Sequence, residues 1–68
     1  MKLPEVGDRI ELVAMPDDPD PIEAGAQGTV EHVEPACDQI IVNWDNGRKL
    51  NLVISVDRWR LLPEEGAK

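Results

Sequence analysis

Ile40-Ile41-Val42-Asn43-Trp44-Asp45-Asn46-Gly47-Arg48-Lys49-Leu50-Asn51-Leu52 carries its own folding instruction. Two apolar-rich runs flank Asp45-Asn46-Gly47, and Asn-Gly supplies the positive-φ residues that a tight I′ hairpin turn needs. Strand alternation then puts Ile40, Val42 and Trp44 on one face. Leu50 and Leu52 lie opposite them on the returning strand and close half of a small core.

Upstream of this hairpin, Met1 to Glu5 reads as a loose lead-in, because Pro4 discourages regular structure. Val6-Gly7-Asp8 starts a first strand, and Arg9-Ile10-Glu11-Leu12-Val13 alternates so that Ile10 and Leu12 point inward while Arg9 and Glu11 face water. The segment Met15 to Gly25 holds three prolines and four carboxylates, which exclude both a helix and a central strand. It reads as a long, stiff, acidic loop, of a length that is uncommon in compact domains and often functional.

Gly25 and Gly28 lead into Thr29-Val30-Glu31-His32-Val33-Glu34, and Pro35-Ala36-Cys37-Asp38 ends that strand in a turn. Val30 and Val33 break strict alternation, and a bulge near Glu31-His32 restores both to one side. After the hairpin, Val53 to Asp57 is too short and too β-branched for an ordinary helix and fits a 3₁₀ turn. Arg58-Trp59-Arg60-Leu61-Leu62 alternates again, with Trp59 and Leu61 inward, until Pro63 stops it. Residues 6–62 thus form one all-β domain, a small five-stranded antiparallel barrel, and residues 63–68 are a frayed tail.

A chain of 68 residues with two aromatics, Trp44 and Trp59, lies near the lower limit for a self-sufficient core. The expected state is a monomer or a weak homo-oligomer. The net charge of −7 works against general binding to phosphate backbones and favours a basic partner surface. The single Cys37 has no internal disulfide partner, and no run is long or apolar enough for a signal sequence or a membrane span. These features predict a soluble cytoplasmic protein.

Gly7-Asp8-Arg9-Ile10-Glu11-Leu12-Val13, Met15-Pro16-Asp17-Asp18-Pro19-Asp20-Pro21-Ile22, Gly28-Thr29-Val30, Val42-Asn43-Trp44-Asp45-Asn46-Gly47-Arg48 and Val56-Asp57-Arg58-Trp59-Arg60 resemble a family of short bacterial and phage-borne proteins known only as a domain of unknown function. The resemblance spans roughly residues 7–62. It implies an SH3-like barrel, with the acidic proline-rich segment as counterpart of the long first loop of SH3 domains, and it implies no catalytic residue. A looser likeness extends to KOW-type modules and to type II dihydrofolate reductases. Leu50-Asn51-Leu52 stands where that reductase family has the Gln-Ile-Tyr segment that holds its ligands.

For hydrolytic chemistry the carboxylates are mobile or dispersed, whereas acid-base catalysis needs a pair held in environments that separate their pKa values. There is no Gly-rich phosphate loop, no Ser-His-Asp order and no paired Cys motif. Asp17, Asp18 and Asp20 depart from the spacing of a dedicated calcium loop, and His32 reads as a surface strand residue. The sequence therefore predicts a non-enzymatic protein without cofactor or metal.

The leading expectation is a protein-interaction module in which Asp17, Asp18, Asp20 and Trp44 take a basic or proline-containing segment of a protein or peptide partner. Trp44 also reads as a packing residue, and loss of the fold on its removal separates the two roles. A second expectation is nucleic-acid binding by a basic strip of Arg48, Lys49, Arg58 and Arg60, conditional on the last two strands adjoining. Ordinary cross-strand ion pairs with Glu11, Glu31 and Asp57 compete with that strip. A third is an acidic mimic of nucleic acid that occupies a basic groove on a host protein.

Overall fold

A computed structural model describes residues 3–63. Met1 and Lys2 of the lead-in and all of the expected tail except Pro63 lie outside the described residues. The chain is all-β: β1 (Arg9–Ala14), β2 (Gln27–Glu34), β3 (Gln39–Trp44), β4 (Leu52–Val53) and β5 (Arg58–Leu61) form one antiparallel sheet in the order β4-β3-β2-β1-β5. Four strands meander, and the last returns to pair with the first.

Alternation builds the core. Ile10 and Leu12 of β1, Val30 of β2, Ile40, Val42 and Trp44 of β3 and Leu52 of β4 are buried together, with Trp59 half-buried against them. Burying each such aliphatic side chain contributes about 1.5–3 kcal/mol, a large share of the stability of so small a domain. The bulge expected near Glu31-His32 is present: Val30 pairs with Val42 and His32 with Ile41, so Glu31 is the extra residue. A second irregularity falls between Leu12 and Ala14, where Val13 turns outward.

The lead-in is better held than the sequence suggests. Pro4 is buried, Glu5 N–H donates to Asp8 Oδ2 at 2.8 Å, and Gly7 N–H reaches Val30 O at 2.8 Å. Backbone pairing to β2 therefore begins before β1 itself.

Two expectations need correction. The Asp45-Asn46-Gly47 turn is not type I′, because Gly47 has a positive φ of 85° but Asn46 does not. Gly47 N–H instead closes on Trp44 O at 3.0 Å, and β4 pairs with β3 only at Gln39↔Val53 and Ile40↔Leu52. Among the described residues the 3₁₀ turn is Pro35–Cys37, closed by left-handed Asp38, whereas the segment before β5 is a turn in which Val53 O accepts both Val56 N–H (3.1 Å) and Asp57 N–H (2.8 Å). Leu61, paired with Ile10 and two residues from Trp59, lies on the core-side face as alternation predicts but stays 45% exposed, because β5 is an edge strand.

Candidate functional site

The acidic segment is anchored by two apolar residues that bracket its prolines. Met15 and Ile22 are both buried in the core, and Ile22 N–H donates to Met15 Sδ at 3.4 Å. Between them, Pro16, Pro19 and Pro21 narrow the backbone and remove donors. Asp18 Oδ1 accepts Asp20 N–H at 2.9 Å, a local turn of the kind short carboxylate side chains make.

The loop after β3 completes the clamp. Arg48 Nη2 donates to Asp20 O at 2.7 Å and Nη1 to Pro21 O at 3.4 Å, while Asp20 Oδ2 lies 3.5 Å from the guanidinium. Arg48 is itself oriented by its N–H, which donates to Asn46 Oδ1 at 2.9 Å. Beneath it, Trp44 Nε1–H donates to Leu50 O at 2.7 Å. Two acyclic loops far apart in sequence are thereby fixed to each other, and the Asp20 carboxylate remains 88% exposed.

Asp17, Asp18 and Asp20 thus stand together on one held loop. Trp44 does not join them at the surface. It is 2% exposed, so its indole supports the loop after β3 from the core and offers no shelf to a partner. The sequence showed both options for Trp44, and burial decides for packing.

The basic strip does not form. Strand order places β4 and β5 at opposite ends of the sheet, so the condition that they adjoin is not met. Arg48 is spent on the acidic loop, and Arg60 donates through Nε and Nη2 to Glu11 Oε1 at 3.1 and 2.8 Å. Lys49 and Arg58 are exposed on different elements. Of the expected ion-pair partners, Glu11 serves Arg60. Asp57 is buried and accepts Val53 N–H at 2.9 Å instead.

A second polar cluster sits at the other side of the turn. Arg9 donates to both carboxylate oxygens of Asp45 and to Thr29 Oγ1 at 3.0 Å, tying β1 and β2 to the turn after β3. Hydrogen bonding from Arg9 holds the Asp45 carboxyl below the usual carboxylate range. His32 is exposed on β2 with Nε2 at 3.2 Å from Glu34 Oε2, and Cys37 is exposed on the 3₁₀ turn. Among the described residues, no three His, Cys, Asp or Glu side chains converge as a metal-holding group, and no helix is long and apolar enough to cross a membrane.

Arg48 is the residue whose role the sequence hid. Its hydrogen-bond targets lie 28 and 27 residues upstream, and both are backbone carbonyls, which carry no residue signature. Met15 and Ile22 were legible as the only large apolar residues bracketing the acidic run, and their spacing around the prolines was the available signal.

The class these features define is a small all-β domain that presents a clamped acidic loop. Residues 3–62 match the family described as Domain of unknown function (DUF4314), and the chain belongs to that family. No curated protein and no solved structure matches it.

Proposed function

We propose that this protein is a non-enzymatic interaction module, an SH3-like barrel acting in the cytoplasm, that captures a basic segment of a partner protein on the 16–20 loop. The β1–β4 meander with β5 returned to β1 is the pairing such a barrel requires. The observation that carries the reading is the clamp. A loop held by buried Met15 and Ile22 and by Arg48 is ordered before a partner arrives, so little conformational entropy is lost on binding.

Asp17, Asp18 and Asp20 supply orientation and on-rate for Lys or Arg side chains. Trp44 contributes from the core by fixing the loop that carries Arg48. The acidic-mimic reading fits less well, because Glu11, Asp20 and Asp45 each sit against an arginine and Asp57 is buried.

Affinity capture from lysate with and without nuclease tests the proposal, comparing the native chain with an Asp17→Asn/Asp18→Asn/Asp20→Asn variant. Proteins that survive nuclease and are lost with the variant support it. Capture that disappears with nuclease moves the function to nucleic acid, and equal capture by the variant rejects the acidic loop as the recognition surface.

A further inference from the structure

We infer that Asn46 is a self-modification site: the Gly47 nitrogen closes onto the Asn46 side chain, ammonia leaves, and the product turn loosens the hold of Arg48 on the acidic loop. Asn-Gly is the pair in which this closure is least obstructed, because glycine places no side chain beside the attacking nitrogen. Both residues are exposed here, and a Cβ built on Gly47 would meet nothing within 4 Å, so the space around the turn is open. Asn43 and Asn51 are also exposed, but the side chains of Trp44 and Leu52 follow them.

Hydrogen bonds at the turn both favour and pace the reaction. Arg48 N–H donates to Asn46 Oδ1 at 2.9 Å. That oxygen takes the negative charge when nitrogen adds to Cγ, so a donor already sits where charge develops. Nδ2, the leaving group, has no hydrogen-bond partner among the described residues. Against these, Gly47 N–H donates to Trp44 O at 3.0 Å. Attack begins when that bond opens, and surface turns open at little cost, so the bond slows the closure without preventing it.

The Gly47 nitrogen gives its proton to hydroxide and bonds Asn46 Cγ. The Cγ–Nδ2 bond then breaks, and Nδ2 departs as ammonia with a proton from water, leaving a cyclic imide. Water opens the imide at either carbonyl. Opening at Cγ breaks the new bond and leaves aspartate; opening at the main-chain carbonyl breaks the original peptide bond to Gly47 and leaves isoaspartate, with the chain running on through Cβ and Cγ. The sum is asparagine and water to aspartate or isoaspartate and ammonia, with nothing oxidised or reduced.

The position of the turn makes the change felt elsewhere. It joins Asp45, which Arg9 holds, to Arg48, which holds the Asp20 and Pro21 carbonyls. Isoaspartate lengthens the main chain between those two anchors by one methylene. It also moves Oδ1 from the side chain into the main chain, so the contact that orients Arg48 is rebuilt in a different geometry. Both products add a carboxylate beside Asp45, which competes with the acidic loop for the Arg48 guanidinium.

The test incubates the native chain at mildly alkaline pH beside a free peptide of residues 43–49 and the Asn46→Ser variant. Samples are digested at acid pH, where the closure is arrested, and mapped by mass spectrometry, with isoaspartate quantified by an isoaspartyl methyltransferase. Conversion in the native chain should fall on Asn46, spare Asn43 and Asn51, and rise in proportion to hydroxide. The converted form, separated by anion exchange, should show faster amide exchange in residues 16–22, to the extent that Arg48→Ala does, while incubated Asn46→Ser keeps its exchange pattern. Both readouts hold whether or not the loop takes a basic segment. The inference is overturned by a native Asn46 that stays intact after the free peptide has converted, by conversion that reaches Asn43 or Asn51 equally, or by a converted form whose exchange in 16–22 matches that of the unmodified chain.

Discussion

β3 has two flanks, and they are built differently. Toward β2 the ladder runs from Gln39 to Trp44 with one bulge, and Gly28 is pressed against the strand. Toward β4 the ladder lasts two pairs, after which the Gly47 N–H to Trp44 O turn bond and an indole hydrogen bond from Trp44 to Leu50 replace it. The first flank is fixed by backbone and by close approach. The second is fixed by one turn bond and one side chain, and the loop that carries Arg48 runs along it.

Removing that side chain breaks the contrast most severely. Trp44→Ala deletes the largest buried residue and the bond to Leu50, at a cost of about 3–5 kcal/mol, comparable with the total stability of a domain this size. Circular dichroism should show an unfolded or barely folded chain. Gly28→Ala attacks the other flank, because a Cβ there would meet Val42 Cγ1 at 2.6 Å and Asn43 O at 2.9 Å. Backbone and a buried valine yield little, so overpacking should cost about 1–3 kcal/mol in thermal or urea melts.

Trp44→Phe sharpens the comparison, since it keeps most of the apolar volume and removes the N–H. Leaving Leu50 O without its donor should cost about 1–2 kcal/mol, with increased amide exchange confined to residues near 47–51 while the β2–β3 ladder stays protected. Arg48→Ala should change stability by less than about 1 kcal/mol, as befits a partly exposed cation at the surface. It should nevertheless speed exchange in 16–22 and weaken binding at the acidic loop.

The smallest effect concerns pH. The folded carboxyl of Asp45 titrates below its unfolded value because Arg9 hydrogen-bonds it, so its contribution is present above the unfolded value and is lost as pH falls through the folded one. Asp45→Asn should therefore remove a small part of the destabilisation seen as pH drops below about 4, read from acid melts of the two proteins.

The strands were readable because period-two alternation and burial coincide in Ile10, Leu12, Ile40, Val42 and Leu52, and even the Glu31 bulge follows from two valines three apart. The hairpin was half readable. Asn-Gly announced a turn, but local propensity for I′ geometry yielded to the demand of Trp44, whose buried ring needed an acceptor and found it on Leu50. The acidic residues of the candidate site were plain in the sequence. What holds them was not, because Arg48 reaches main-chain carbonyls that no residue pattern reveals.

The most direct measurement is a titration of ¹⁵N-labelled protein with a short Lys/Arg-rich peptide, followed by amide chemical shifts at two salt concentrations. The account predicts shifts concentrated in residues 16–22 and 46–49, reduced at high salt and absent from the Asp17→Asn/Asp18→Asn/Asp20→Asn variant. Shifts of equal size in that variant, or shifts centred on another surface, would contradict it.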